Sequence, residues 1–283
     1  MSLAPKTLSN FPQAIPDSPG IPKKVSEEVI VAPFNDTDMF KSILDEHHEQ
    51  LGAVIVEPFQ RLIPPAPGFL EILREMTLKY DIPLIFDEIV TGFRFAYGGA
   101  QEFYSVTPDL CSLGKIIGGG FPLAAVGGRK DLMQLFNKDA VGDKHFLPQI
   151  GTLSGNPVAS AAGLATLEIL KPKSAYETVF DTGRVLMGEL EAAMKDYGHS
   201  AVILGEPPLF DVFFTDNEIS DYRGILKADT KKGSAFNKLL RSNQVFKGDS
   251  KFYVSLAHNE DDVNLTVKAI RAVSYTHLRA HET

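Results

Sequence analysis

The chain has 283 residues, of which 44% are hydrophobic and 23% are charged, a composition typical of a soluble globular protein with a large core and more than one domain. Its net charge of −8 disfavours nucleic-acid and anionic-membrane partners, because both would repel it. Cys111 is the single cysteine, so no internal disulfide can form. The Pro- and Ser-rich start lacks the apolar core of a signal peptide, and no apolar run is long enough to span a bilayer. We therefore expect a cytoplasmic protein.

The first half of the chain predicts a parallel sheet. Residues 1–30 are expected to be extended, because prolines at positions 5, 12, 16, 19 and 22 oppose a regular helix. Helices are then predicted in "DTDMFKSILDEHHEQ", capped by Asp36, and in "PGFLEILREMTLKY". Strands are predicted in "AVIV", "IPLIFDE" and "PLAAVGG", where short continuous apolar runs suit burial on both faces. The order strand, helix, strand with short connections is the βαβ pattern, which indicates an α/β domain. We place this domain at residues 31–170.

The second half predicts a smaller α+β domain at residues 171–273. "GNPVASAAGLATLEIL" is expected to be a helix that Pro157 opens and whose small residues allow close packing. A long helix follows at about Tyr176 to Tyr197. Strand, helix, strand and helix are predicted in "AVILGEPPLFDVFFTD", "SAFNKLLRSNQV", "KFYVSLAH" and "EDDVNLTVKAIRAV". The last helix is expected to end at Val273, and residues 274–283 to be a non-native or disordered tail.

Asp87 and Lys115 are the two candidate reactive side chains. Ligands bind at the carboxyl ends of the strands in open parallel sheets, and Asp87 lies at such an end. Lys115 lies in "SLGKIIGGG", where its apolar neighbours predict a water-poor amine in the neutral form that attacks carbonyl groups. Gly118 to Gly120 allow a bulky group to approach the backbone beside that amine.

A deep carboxylate and an amine that forms Schiff bases are the pair that pyridoxal 5'-phosphate requires. The lysine holds the aldehyde, and the carboxylate pairs with the protonated ring nitrogen. "GTLSGNP" adds the hydroxyls of Thr152 and Ser154 just before a helix, where a phosphate is bound favourably. Thr152 is equally compatible with a helix cap.

These residues also fit other interpretations. Asp87 and Glu88 could ligate a metal in a nucleotide hydrolase, but the chain has no GxxxxGK[ST] loop, so no metal is expected. Lys115 could be a surface lysine. His47 and His48 have no partner histidine at helical spacing and are expected on a solvated face, and Cys111 is expected to be a packed small hydrophobe.

The stretches "IFDEIVTGFR", "PDLCSLGKIIGGGFPLAAVGGR" and "GTLSGNPVASAAGLATLEIL" closely resemble the class III pyridoxal-phosphate aminotransferases, and within them the glutamate-1-semialdehyde 2,1-aminomutase-like branch. The resemblance extends from about Asp17 to Val273. It implies a fold-type-I transferase, with a mostly parallel central sheet flanked by helices and a smaller α+β carboxyl-terminal domain.

The resemblance also implies a role for four residues. Lys115 would form the internal aldimine and shuttle protons, Asp87 would pair with the pyridine nitrogen, and Ile89 would pack on a ring face. Thr152 would bind the phosphate of the neighbouring subunit's cofactor, so that a homodimer shares its active sites. The implied reaction is amino-group transfer with a small-molecule donor and acceptor, between two molecules or, in the aminomutase type, within one molecule.

Two departures from the family pattern bear on that reaction. Met1 falls after the family's phosphate loop and stacking aromatic residue, which predicts an amino-terminally truncated chain and leaves open an inactive fragment that at most dimerises. The compact segment "FQRLIPPAPGF", with Arg61, replaces a longer aminomutase segment and leaves a general aminotransferase open. The roles of Glu57 and Arg61 are not assigned by the sequence.

Overall fold

The structure is a computed structural model that describes residues 13–16 and 18–276. Its α-helices are α1 (Lys23–Glu27), α2 (Thr37–His47), α3 (Phe69–Lys79), α4 (Gly99–Phe103), α5 (Lys130–Met133), α6 (Lys138–Val141), α7 (Pro157–Leu170), α8 (Lys173–Asp196), α9 (Tyr222–Ile225), α10 (Thr230–Ser242) and α11 (Glu260–Thr276). Its strands are β1 (Val54–Val56), β2 (Leu84–Glu88), β3 (Leu110–Leu113), β4 (Ala125–Gly128), β5 (Val202–Glu206), β6 (Leu209–Phe213) and β7 (Phe252–Tyr253). None of the helices in this part of the chain has the length and apolar character that crossing a lipid bilayer requires.

The first four strands form one sheet in the order β1-β2-β3-β4. β1, β2 and β3 are parallel, which agrees with the expected mostly parallel sheet, although β3 is not among the strands that the sequence predicts. The predicted strand in "PLAAVGG" is β4, but it is antiparallel to β3 and pairs Ala125 with Leu113, so the expected parallel direction is wrong for this strand. The short connection between β3 and β4 contains a 3₁₀ turn and no crossover helix, and a short connection returns the chain in the opposite direction.

The helices α2 and α3 cover this sheet as the sequence predicts. The side chain of Asp36 accepts a hydrogen bond from the Met39 N–H at 2.9 Å and caps α2. α3 buries Phe69, Leu70 and Leu73 in a core cluster that also contains Phe86 of β2. Burial of apolar side chains at helical spacing therefore fixes these helices against the sheet.

The remaining strands form an antiparallel sheet in the order β5-β6-β7. A core cluster joins this sheet to α8, α10 and α11, and Leu190, Phe210, Phe236 and Ile270 are fully buried within it. The single strand predicted in "AVILGEPPLFDVFFTD" is wrong, because the segment forms a hairpin of β5 and β6. Pro207 and Pro208 interrupt the strand, since proline lacks the N–H that a continuous strand donates.

Three further predictions differ from the structure. The proline-rich start contains the short helix α1, which follows directly on Pro22, where a missing N–H costs nothing. Ile55 is 66% exposed, so the prediction that β1 is buried on both faces is wrong; β1 is an edge strand of the described sheet.

The end of the last helix is the third difference. α11 continues to Thr276, beyond the expected end at Val273. Ser274 is fully buried, and its carbonyl oxygen accepts a hydrogen bond from His199 Nε2 at 2.9 Å. The predicted tail therefore begins with packed helix, and its residues 277–283 lie outside the described part of the chain.

Asp109, just before β3, links three parts of the first sheet region. One carboxylate oxygen accepts hydrogen bonds from Arg74 Nη1 of α3 at 2.6 Å and from the Leu84 N–H of β2 at 2.8 Å, and the other accepts from Arg129 Nη1 at 2.9 Å. Burial alone would raise the pKa of Asp109, but these hydrogen bonds outweigh it and lower the pKa to about 2.

We expect Asp109→Asn to lower the free energy of unfolding by about 2 to 3 kcal/mol at neutral pH, because two arginines lose their charged partner. Since the pKa is lower in the folded than in the unfolded chain, this stabilisation is complete above about pH 4 and is lost as the pH falls toward 2. Urea unfolding at neutral pH and near pH 3 measures the difference. The control Asp131→Asn removes an exposed partner of Arg129 and should change stability little.

Candidate active site

Charged side chains gather at the edge of the sheet where the parallel strands end. Glu57 follows β1, Asp87 lies near the end of β2, and Lys115 follows β3 by two residues. The register pairs Asp87 with Ser112 on the neighbouring strand. The structure therefore brings Asp87 and Lys115 to the same edge, where open parallel sheets bind their ligands.

The carboxylate of Asp87 is half-buried and is held by two hydrogen bonds. Its Oδ1 accepts from Ser112 Oγ at 3.1 Å and from the Ile89 N–H at 3.1 Å. Both bonds end on the same oxygen, and no donor to Oδ2 occurs among the described residues. The carboxylate is thus oriented by the protein while one oxygen can accept a bond from a ligand N–H.

Glu88 points to the opposite face of β2 and has a structural role that sequence reasoning missed. It is fully buried and accepts hydrogen bonds from the Ala100 N–H at 2.5 Å, from Gln101 Nε2 at 2.9 Å and from Thr91 Oγ1 at 3.1 Å. These bonds fasten the start of α4 to β2. Because neighbouring strand residues point to opposite faces, Asp87 and Glu88 do not converge on a shared metal.

Lys115 begins a 3₁₀ turn, Lys115–Gly118, and has a φ of +48°. This left-handed conformation is uncommon for a residue with a side chain, and such strained residues concentrate at functional sites. The lysine is exposed in the described chain, so the predicted water-poor environment is wrong. Its apolar neighbour Leu113 packs toward Gly92.

The helix α7 supports the lysine turn from the side. A Cβ atom at Gly163 would lie 2.5 Å from the carbonyl oxygen of Ile117, and Ala159 of the same helix is fully buried. This close approach confirms the predicted packing through small residues. The cap of α7 is Asn156, which accepts a hydrogen bond from the Ala159 N–H at 2.9 Å.

Thr152 and Ile89 occupy different surroundings. Thr152 is exposed in the turn before α7, and because Asn156 caps the helix, the cap interpretation of Thr152 is wrong. Ile89 is half-buried beside the backbone of Gly114, where a Cβ would lie 2.9 Å from Ile89 Cδ1. Ile89 therefore lies next to both Asp87 and the residue before Lys115, while its role toward a cofactor stays a prediction, as does that of Thr152.

Two other candidates are structural. Cys111 is half-buried on β3 and packs against the core, and burial raises the pKa of its thiol, which disfavours the reactive thiolate. His48 stacks on Tyr80 with ring centroids 4.1 Å apart, beyond the end of α2. No cluster of three or more His, Cys, Asp or Glu side chains suited to a metal occurs in the described part of the chain.

Lys251 is a further residue that sequence reasoning missed. It lies directly before β7 in the second sheet, yet it interacts electrostatically with Glu57 and Lys115 at the edge of the first sheet. Burial lowers the pKa of Lys251. No local pattern around "SKFYV" could reveal this position, because only the tertiary fold brings the two sheets together.

Comparison with known proteins decides the family. Residues 2–238 match the family described as aminotransferase class-III. The chain belongs to this family. Two curated relatives, both named glutamate-1-semialdehyde 2,1-aminomutase, are 42% identical to it: that of Pelotomaculum thermopropionicum over 263 residues and that of Thermodesulfovibrio yellowstonii over 262 residues. The matches cover 91% and 90% of the chain but 59% and 60% of the relatives, so the chain spans about three fifths of their length.

Solved structures of the same family share the fold. An omega-transaminase from Sphaerobacter thermophilus matches with a TM-score of 0.89 and 33% identity, over 95% of this chain and 62% of that one. A Lys-to-Ala variant of a glutamate-1-semialdehyde aminomutase from Pseudomonas aeruginosa, in complex with PMP, matches with a TM-score of 0.74 and 25% identity, over 85% and 55% of the two chains. The fold is therefore that of the pyridoxal-phosphate transaminases, as the sequence predicts.

We expect Gly163→Ala to destabilise the chain by about 1 to 2 kcal/mol, because the added methyl group pushes α7 away from the Lys115–Gly118 turn. Thermal and urea unfolding measure the effect. Gly188→Ala is the matched control, since Gly188 lies on α8 with open space around its Cβ position, and it should be neutral or stabilising by up to about 1 kcal/mol. Equal effects of the two changes would contradict the close packing of α7.

Proposed function

We propose that this protein catalyses pyridoxal-5'-phosphate-dependent amino-group transfer, between two small molecules or within one molecule as in the aminomutases. The observation that carries the proposal is the placement of Asp87 and Lys115 at one edge of a parallel sheet, with Asp87 Oδ2 available for a ligand N–H. The names of the relatives support both forms of the reaction.

The residues at this edge fit the cofactor. Lys115 is exposed, so its amine is accessible for covalent attachment; Asp87 has a free carboxylate oxygen that would pair with a ring nitrogen, and Ile89 lies beside Asp87 and beside Gly114, the residue before Lys115. When bound, the cofactor supplies an electrophilic carbon and a ring that withdraws electrons from the substrate's reacting carbon.

Residues of the chain have separate roles in this reaction. Asp87 keeps the ring nitrogen protonated, because a carboxylate beside it favours the positive charge. Lys115 would hold the cofactor covalently, and its free amine would carry a proton to and from the reacting carbon as a general base and acid. Ser112 and the Ile89 N–H hold Asp87 in the orientation that this pairing needs.

We also propose that two copies of the chain form a homodimer in which Thr152 of one copy binds the cofactor phosphate of the other. Exposed apolar side chains on α7 and the segment before it support this surface, among them Ile150 at 87% exposure and Leu164 at 67%. Apolar exposure of this extent is typical of an interface.

The proposal also covers the cellular location of the protein and its division into domains. We place the protein in the cytoplasm, with small-molecule amino donors and acceptors as its partners, and divide it into the large domain at 31–170 and the small domain from 171. The lone, half-buried Cys111 suits a reducing compartment, and the two separate sheets support the division.

Lys115→Ala should abolish the visible absorbance that covalent attachment of the cofactor gives.

Asp87→Asn should keep covalent attachment but lower the rate of half-transamination with glutamate by at least about a hundredfold, because the ring nitrogen loses its ionic partner. Absorbance spectra and single-turnover assays on the purified chain measure both. Lys130→Ala, at an exposed lysine beyond the opposite end of β3, is the control and should leave the spectrum unchanged. A native chain that attaches cofactor but never turns over would support the inactive-fragment alternative.

Leu164→Glu should shift the chain from dimer to monomer, because a charge on an apolar interface costs several kcal/mol unless it is paired. Sedimentation velocity over a range of concentrations measures the distribution. Leu78→Glu, at an equally exposed leucine (61%) on α3, is the matched control and should leave the dimer intact. A native chain that is monomeric at all concentrations would contradict the dimer.

A further inference from the structure

The turn that carries Thr152 has few bonds to the rest of the chain. Residues 151–155 are all exposed. The Ser154 N–H donates to the Gly151 carbonyl at 3.0 Å, but this bond lies within the turn itself. Among the described residues, every other hydrogen bond of this turn is made by Asn156. The position of Thr152 therefore depends on how Asn156 holds the turn.

Asn156 forms bonds with both ends of its side-chain amide. Its Nδ2 donates to the Leu153 carbonyl at 2.9 Å, and its backbone N–H donates to the same carbonyl at 3.2 Å. Its Oδ1 accepts a hydrogen bond from the Ala159 N–H at 2.9 Å, in the first turn of α7. A carbonyl on one side and an N–H on the other determine which end of the amide faces which partner. One half-buried side chain thus ties the exposed turn to the helix.

The helix α7 is itself fixed against the turn that begins with Lys115. Gly119 ends that turn with a φ of +55°, and a Cβ atom on it would lie 2.8 Å from the Ala162 carbonyl oxygen of α7. Ala159, which donates its N–H to Asn156, is fully buried. Because α7 cannot move freely past the lysine turn, a shift of the Thr152 turn relative to α7 is also a shift relative to Lys115.

An exposed turn loses backbone conformational entropy when it is fixed against a ligand. A turn whose shape is set before binding loses less of it, and its contacts with the ligand are correspondingly stronger. Ile150 and Leu153, on either side of Thr152, are 87% and 59% exposed, as expected of a segment that a second copy of the chain covers. The bond from Asn156 to Leu153 gives this segment its shape in the free chain.

We propose that Asn156 is a positioning residue for the cofactor phosphate. Its bond to Leu153 holds the turn so that the Thr152 hydroxyl meets the phosphate bound by the neighbouring copy. This inference rests on the proposed function and adds to it a residue that contacts neither the cofactor nor the substrate. A helix cap requires only Oδ1 of Asn156. The bond that Nδ2 donates to Leu153 is the one that serves the phosphate contact.

The substitution Asn156→Ser separates the two bonds. Serine caps helices about as well as asparagine, so the bond from Ala159 is kept and the melting temperature should change little. Serine has no amide nitrogen, so the bond to Leu153 is lost without a change of charge. Asn137→Ser is the matched control: Asn137 caps α6 by accepting from the Asp139 N–H at 3.1 Å, and its Nδ2 donates to no described residue.

The test compares the binding of pyridoxal 5'-phosphate with that of pyridoxal, which lacks the phosphate, to the full 283-residue chain. Titration of the visible absorbance gives both dissociation constants, with the Lys115→Ala chain as background, and their ratio measures the phosphate contribution. We expect Asn156→Ser to weaken binding of the phosphate form about fivefold, as for the loss of one neutral hydrogen bond, and to leave that of pyridoxal within about twofold. Asn137→Ser should leave both constants unchanged.

A second comparison measures whether Asn156 acts through Thr152. We expect Thr152→Ala to lower the preference for the phosphate form about tenfold, as for the loss of a hydrogen bond to a charged group. The double variant Thr152→Ala with Asn156→Ser should lower the preference no further, because the hydroxyl that Asn156 positions is already absent. Losses that add in the double variant overturn the proposal.

A preference for the phosphate form that falls in Asn156→Ser but not in Asn137→Ser supports the proposal. An unchanged preference, equal weakening of both compounds, or the same loss in Asn137→Ser overturns it and leaves Asn156 as a helix cap. If Asn156→Ser does not fold, Asn156→Asp takes its place at about 1 M salt, where its added charge is screened. A native chain that gives no absorbance with either compound contradicts the proposed function as well, whereas a native preference that the Asn156 variant retains overturns this inference alone.

Discussion

The parallel register of β2 and β3 is the constraint on which the site depends. It pairs Asp87 with Ser112, and the Ser112 hydroxyl then fixes the carboxylate from the neighbouring strand at 3.1 Å. The same register ends β3 immediately before the turn that presents Lys115. A shift of one residue would turn Asp87 to the opposite face, now occupied by Glu88, and would separate the carboxylate from the lysine.

Several contacts protect this register at some distance from the site. Glu88 fastens the start of α4 to β2, and Asp109 ties β2, α3 and the segment after β4 together at the opposite end of β3. α7 supports the lysine turn through the close approach of Gly163. The buried charges of the first sheet region therefore hold strands in place.

Much of this arrangement could be predicted from the sequence. Apolar runs and helical spacing predicted the strands β1, β2 and β4 and the helices α2, α3, α7 and α8, and the position of Asp87 at the end of a strand indicated a ligand site there. Local sequence could not show that Lys115 is exposed, because its burial depends on where Leu113 and its neighbours point. Local sequence also could not show that the segment around Pro207 and Pro208 forms two strands of a hairpin. The proximity of Lys251 to Glu57 was equally hidden, because tertiary packing decides it.

The most direct test of the central claim is to reduce the cofactor-loaded chain with borohydride and to map the modified residue by peptide mass spectrometry. The placement of Lys115 at the sheet edge beside Asp87 predicts a single pyridoxyl adduct, on the peptide that contains Lys115. An adduct on Lys251, or equal modification of several exposed lysines, would contradict the account.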